Sequence, residues 1–235
     1  MQLITVAGPP SVGKTSVIAH AASMLRARGR HPGVAKFDAL STQDDRIYRQ
    51  RELPVTVGLS GALCPDHFFV SNIDDCLAWG HRQGLDVLFA ESAGLCNRCS
   101  PHIEGVLAVC VVDALAGVHT PKKIGPMLRL ADLVVITKSD VVSQVEREVF
   151  AHHVRLANPK AQALFCNGIT GQGVLGLVAR LQAAPEVERL DGCRLRFTMP
   201  AAVCPYCVGE TAIGETHQRG NVKKMRFADL SEASQ

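Results

Sequence analysis

The chain has 235 residues, 47% of them hydrophobic and 20% charged, which is enough for one substantial core and too little for two full-sized domains. Its 25 Lys+Arg nearly balance 22 Asp+Glu, so the net charge of +3 argues neither for a nucleic-acid partner nor for a membrane surface. Nine cysteines, an odd and high number, suggest thiol chemistry or metal ligation ahead of structural disulfides.

The opening residues run directly into a strand pattern, without the basic region and apolar core of a secretory leader, and no later run reaches the roughly 18 apolar residues of a membrane span. A cytoplasmic protein is expected. Apolar strand-length runs at 3–7, 87–90, 106–112, 133–137 and 163–166 alternate with helical patterns at 16–28, 145–158 and 174–183. This alternation predicts a doubly wound α/β fold with a mostly parallel sheet covered on both faces. Residues 41–65 lack periodicity and are expected to form a mobile loop. After residue 184 the pattern changes to a polar connector, a strand-like stretch at 194–198 and a Cys-Pro-Tyr-Cys at 204–207. The expected division is therefore a nucleotide-binding domain at 1–184 and a small cysteine-containing appendage at 185–235.

Between the first strand and the first helix stands Gly8-Pro-Pro-Ser11-Val12-Gly13-Lys14-Thr15, followed by Ser16. This is the spacing of a P-loop: glycines let backbone N–H groups surround phosphates, the helix N-terminus adds positive potential, Lys14 reaches the β and γ oxygens, and Thr15 offers its hydroxyl to Mg. Dinucleotide-binding loops space their glycines differently. After the strand at 133–137 comes Thr-Lys138-Ser-Asp140, where a carboxylate can accept from both the ring N–H and the amine of guanine. Cys166-Asn167-Gly, after the next strand, can complete the base pocket.

Glu91-Ser-Ala-Gly94 follows the strand at 87–90, and this Glu-x-x-Gly form is similar to the nickel-insertion GTPases that mature hydrogenase and urease, the HypB/UreG-like group. The runs at 34–38, 111–126 and 131–140 resemble the corresponding parts of the urease-accessory member. The resemblance covers about residues 1–183 and leaves the tail outside. It implies a GTPase in which Asp38 and Glu91 hold Mg through its water shell, Thr15 binds the ion directly, and Lys122 or Lys123 lies at a homodimer interface near nucleotide. From the residues alone, Asp38 can equally be a helix cap or turn former.

Cys64-Pro-Asp-His67 resembles the Cys-Pro-His metal motif of that family, with an Asp inserted before the His that alters the reach of His67. Cys96-Asn-Arg-Cys99-Ser-Pro-His102 places two thiols and an imidazole within reach of one Ni or Zn ion. Cys204 and Cys207 supply half a tetrahedral site and leave Zn, an iron–sulfur cluster or redox exchange open. Cys76, Cys110, Cys166 and Cys193 fall in or beside elements and suit packing.

Together these features predict a metallochaperone that hydrolyses GTP, with Lys14, Glu91 and Asp38 at its catalytic centre, and delivers a transition metal or metal cofactor to a client enzyme or its accessory proteins. The alternatives are a small-molecule kinase on the same phosphate loop and a nucleotide-regulated redox or iron–sulfur protein.

Overall fold

A computed structural model describes residues 1–197, 209–218 and 220–227. Its centre is a seven-stranded, all-parallel sheet in the order β3-β2-β4-β1-β5-β6-β7. The strands are β1 (Gln2–Ala7), β2 (Pro32–Asp38), β3 (Val55–Leu59), β4 (Val87–Glu91), β5 (Leu107–Asp113), β6 (Leu133–Thr137) and β7 (Gln162–Phe165). Residues of β1, β4 and β6 are buried throughout, because helices cover both faces of the sheet and alternation of polar and apolar positions has no purpose there. β1 lies between β4 and β5, the point where the strand order reverses, so its carboxyl end opens onto the crevice in which such sheets take their ligands.

On one face α1 (Lys14–Arg26) and α6 (Val174–Leu181) share a core in which Val17, Ile18, Leu25, Leu177 and Leu181 are buried together with Tyr48. On the other face α3 (Pro65–Arg82) lies over β2 and β4, with Phe37, Phe68 and Phe69 in edge and tilted contact at centroid distances of 4.7 to 6.1 Å. A third cluster joins α4 (Pro126–Arg129) and α5 (Gln144–Ala157) to β5 and β6. α5 starts on a capping box, in which Ser143 accepts from the Glu146 N–H and the Glu146 carboxylate accepts from Ser143 N–H.

The expectation of a loop over 41–65 is corrected: the segment contains α2 (Asp44–Arg49) and β3. Both are short, and β3 shows a half-buried pattern at the sheet edge, so neither carries a long periodic signal. β2 shows no strand-length apolar run in the sequence, since Pro32, Gly33 and Lys36 interrupt it. α3 was hidden because its buried stripe is partly polar, with Asp66, His67, Ser71 and Asn72 all inward. Of the stretch predicted as a strand near 194–198, the described residues 194–197 form only isolated bridges, Ile103 to Leu195 and Arg194 to Ala212.

Beyond residue 184 the described chain straps back over the α3 face. Leu190, Leu195, Ile213 and Met225 enter the same cluster as Leu77 and Leu88. Asn72 donates from Nδ2 to Lys223 O and accepts at Oδ1 from Met225 N–H, while Lys224 Nζ pairs with Asp75. The Arg196 guanidinium makes a bidentate pair with Asp132 at 2.8 Å and donates to three backbone carbonyls, Ile103, Leu130 and Val106.

Candidate functional site

The loop between β1 and α1 takes the backbone form that a phosphate cradle requires. Gly8, Ser11 and Gly13 all have positive φ, at 145°, 61° and 92°, and Gly13 caps α1. A Cβ on Gly8 would stand 2.1 Å from Val111 O, so the first glycine is demanded by close approach to β5. A cavity of about 310 Å³ opens over this loop, and Ser11, Gly13, Lys14, Thr15 and Ser16 line it together with Asp38 and Glu91. Lys14 Nζ donates to Gly8 O at 2.9 Å and Pro9 O at 3.0 Å, and burial lowers its pKa.

At the bottom of the cavity Glu91, fully buried, is held from three sides. Its Oε1 accepts from Thr15 Oγ1 at 2.9 Å and from Lys36 Nζ at 2.9 Å, and its Oε2 accepts from Tyr48 Oη at 2.6 Å. Burial, then the Glu91 charge, raises the Tyr48 pKa far above its ordinary value, so the phenol stays a donor. Asp44 Oδ2 lies 2.7 Å from Lys36 Nζ and 3.1 Å from Thr15 Oγ1. Burial opposes the charge on Lys36, but Glu91 and Asp44 outweigh it and its pKa is raised. Asp38 stands further out, with Oδ2 3.8 Å from Lys36 and Oδ1 accepting from Ala39 N–H. A hydroxyl and hard carboxylates clustered beside a phosphate loop are the donor set that suits Mg, which takes few protein oxygens and keeps waters.

Lys36, Asp44 and Tyr48 are functional neighbours that sequence reasoning missed. Lys36 and Glu91 are partners across the parallel β2–β4 register, a relation no local motif encodes. The available signal was the charge itself, since a lysine inside an internal apolar strand demands carboxylate partners.

The base side begins at Lys138, which has a φ of 54° and donates to Ser11 O at 2.9 Å and Asp113 Oδ2 at 2.6 Å. It thereby ties the end of β6 to the phosphate loop. A second cavity of about 290 Å³ continues from that loop and is lined by Val12, Lys138, Asp140 and Asn167, with the exposed apolar side chains of Leu115, Val141 and Ile169 at its rim. Asn167 Oδ1 accepts from the N–H groups of Ile169 and Thr170, which shapes the wall opposite Asp140. Cys166 is almost wholly buried in the α1–α6 core, and burial pushes its thiol up to about 11. Its part in the pocket is therefore that of a packing residue. Lys123 is exposed in a 3₁₀ turn (Thr120–Lys123) and lines neither of these two cavities.

β4 ends on Glu91, and the chain then passes Gly94, whose φ is 71° and whose hypothetical Cβ would lie 1.8 Å from Gly8 O and 3.3 Å from Lys14 Nζ. Two residues later comes Cys96. The Cys96 and Cys99 sulfurs are 3.7 Å apart, and one carboxylate oxygen of Asp66 lies with them inside a 4.8 Å group. Cys64, at the N-cap of α3, stands near enough to act on Cys99. Burial, then Asp66 and the other two thiols, pushes Cys99 up, and burial pushes Asp66 up to about 6. The raised Cys99 thiol holds a proton that a soft or borderline cation would replace.

Two ligands expected here are corrected. His102 is completely buried and its ring is already used: Nδ1 is 2.9 Å from Thr5 Oγ1 and Nε2 is 2.9 Å from Met127 O. Burial lowers it to about 4, as suits a neutral core imidazole. His67 turns to the backbone of Asn221 and is not in the thiol group. The Asp66 that separates Cys64 from His67 in sequence takes the imidazole's place, because the first turn of α3 directs residue 66 toward the thiols. Cys204 and Cys207 lie outside the described residues.

A seven-stranded parallel sheet with a phosphate loop after β1, a cluster of carboxylates and a hydroxyl below it and a second cavity after β6 defines a P-loop nucleotide-binding protein of the α/β class. More narrowly, residues 2–165 match the model of the CobW/HypB/UreG nucleotide-binding domain, and the chain belongs to that family. It is 42% identical to the uncharacterized protein MJ0120 of Methanocaldococcus jannaschii over 225 residues, covering 96% of each chain. It is 31% identical to the urease accessory protein UreG 2 of Methylorubrum extorquens over 187 residues, 73% of this chain and 86% of the relative. Its fold resembles the hydrogenase maturation factor HypB of Archaeoglobus fulgidus, with a TM-score of 0.63 at 21% identity over 78% of this chain and 89% of the other. HypB of Helicobacter pylori, solved in complex with nickel, also gives 0.63, at 16% identity over 80% and 91%.

Proposed function

We propose that this protein is a Mg-dependent GTPase that carries a transition metal on a thiol–carboxylate site and releases it to a client metalloenzyme or its accessory proteins in step with the nucleotide cycle. The observation that carries this reading is the connection after β4. Within one short stretch Glu91 faces the cation cluster, Gly94 touches the phosphate loop, and Cys96 and Cys99 close on Asp66. Family membership and the names of the relatives, a urease accessory protein and a hydrogenase maturation factor bound to nickel, point the same way.

In this reading Lys14 and the backbone N–H groups of the loop hold the phosphates, and Thr15, Asp44 and Glu91 hold Mg. When bound there, Mg would supply charge neutralisation on the phosphoryl oxygens. Water is the nucleophile, and Asp38 at the cavity wall orients it or the Mg water shell. Asp140 reads guanine through its two donors, and the apolar rim of Leu115 and Ile169 flanks the ring. Hydrolysis shifts Gly94 against Gly8, and the thiols two and five residues further along feel the shift. Nickel is the expected cargo, with zinc as the competitor that thiolates also favour. A homodimer that brings Lys123 of a second copy toward the nucleotide, and residence in the cytoplasm, complete the proposal. No helix among the described residues is long and apolar enough to cross a membrane.

Metal analysis of purified wild type and a Cys96→Ser/Cys99→Ser variant, paired with GTP turnover of wild type and Lys14→Ala, tests the two halves. We expect the double variant to lose its bound metal and Lys14→Ala to lose turnover by at least about 100-fold. Equal metal content in wild type and double variant, or retained turnover without Lys14, contradicts the reading.

A further inference from the structure

Lys36 is an unusual occupant of its strand. It lies between the fully buried Ala35 and Phe37 in β2, an internal strand, and is itself only 3% exposed. A buried ammonium persists only among compensating charges, and here its Nζ stands 2.7 Å from Asp44 Oδ2, 2.9 Å from Glu91 Oε1 and 3.8 Å from Asp38 Oδ2. The first two of these oxygens are also 3.1 and 2.9 Å from Thr15 Oγ1. Magnesium with ligands at about 2.1 Å spaces adjacent oxygens of its octahedron about 3.0 Å apart. Thr15 Oγ1 thus already stands at the spacing of a metal site from one oxygen each of Asp44 and Glu91, and the ammonium of Lys36 is bound to these two carboxylates.

We propose that Lys36 is the resident cation of this site, keeping its oxygens assembled and excluding a free divalent ion until a triphosphate arrives. The proposal rests on the reading of the phosphate loop as a Mg–nucleotide site and adds the order in which the site fills. In the nucleotide-free chain an entering dication meets both Lys36 and the Lys14 charge that acts on the same Glu91. Like charges at such range in a poorly solvated cleft repel strongly. A nucleotide reverses the balance: its phosphates bring more negative charge than the ion neutralises, and they lie across the same cavity that Lys36 lines. The flexible lysine stem lets the ammonium exchange its carboxylate partners for a phosphate oxygen as the ion takes them over. Metal entry is then tied to nucleotide entry. Lys36 is a positioning residue in this scheme, acting on the ion through the carboxylates it shares.

Mn²⁺ serves as the probe, followed by electron paramagnetic resonance on the full chain, with only the fraction displaced by excess Mg²⁺ counted so that the thiols do not contribute. Wild type should bind Mn²⁺ at least about tenfold more tightly with GTPγS than alone. Without nucleotide, Lys36→Met should bind it at least about tenfold more tightly than wild type, and Lys36→Arg, which keeps the charge, should stay near wild type. A purely structural lysine predicts the opposite, a loss of binding on Lys36→Met. Unchanged or weaker nucleotide-free binding in Lys36→Met, or a rise in Lys36→Arg as large as in Lys36→Met, overturns the proposal and leaves the Mg–nucleotide site intact. Should Lys36→Met fail to fold, wild type still decides: Mn²⁺ binding that is equally tight with and without GTPγS overturns the proposal. If no Mg-displaceable site forms even with nucleotide, the underlying site reading falls with it.

Discussion

At the scale of single residues, the phosphate loop was legible because its parts are contiguous: Gly8, Gly13, Lys14 and Thr15 act within one turn of chain. Asp140 also lies in a short contiguous motif, and its proposed part in reading guanine makes a sharp prediction. Asp140→Asn should lower the preference for GTP over ATP by about 1–3 kcal/mol in a competition assay, because an amide cannot accept both guanine donors. An unchanged ratio refutes the assignment. His102 shows the opposite situation, where neighbouring cysteines in sequence suggested a ligand and the fold made a core residue. Its folded pKa of about 4 lies below the ordinary 6.5, so the unfolded chain takes up the proton first. Stability from His102 is complete above pH 6.5 and is lost as pH falls toward 4. Between pH 7 and pH 5 the loss is about 2 kcal/mol. Asp66, raised to about 6, works in the other direction by about 1 kcal/mol over that interval. Urea unfolding of wild type and His102→Asn at both pH values separates the two, and the variant should lack the loss assigned to His102.

At the scale of elements, the sequence pattern identified strands whose residues are apolar throughout, and it failed where function placed polar groups inside. β2 carries Lys36 and α3 carries Asp66 and Asn72, and each interrupts the periodicity that would have marked its element. Their roles depend on register and packing between distant segments, as with Lys36 beside Glu91. Gly94 is the narrowest joint in the connection after β4. Gly94→Ala forces a Cβ into Gly8 O and strains a positive φ, so nucleotide affinity should fall by at least about tenfold while the fold, read by circular dichroism, persists. Asn72 is the joint between α3 and the C-terminal strap, bonding both Lys223 O and Met225 N–H. Asn72→Ala should destabilise the protein by about 2 kcal/mol in urea unfolding, since it leaves the buried Met225 N–H and the partly buried Lys223 O without this partner. A change within a few tenths would show that the strap is not anchored there.

At the scale of the whole molecule, the parallel sheet gathers three features at the carboxyl ends of its strands: the cavity after β6 proposed to take the base, the cavity over the phosphate loop after β1, and thiols after β4. The first two share Gly13 and Ser16 in their walls and are tied by the Lys138 bond to Ser11 O, and the third is joined to the phosphate cavity through the connection that carries Ala93, Gly94 and Leu95. Coupling between nucleotide and metal is reciprocal, so whatever the terminal phosphate does to the thiols, a metal on the thiols does to the nucleotide. The most direct test is calorimetric titration of Ni²⁺ into anaerobic protein loaded with GTPγS or with GDP. Coupled sites give affinities that differ by at least about fivefold between the two states, a difference that vanishes in Gly94→Ala. Equal Ni²⁺ affinity in both nucleotide states of the wild-type protein would contradict it.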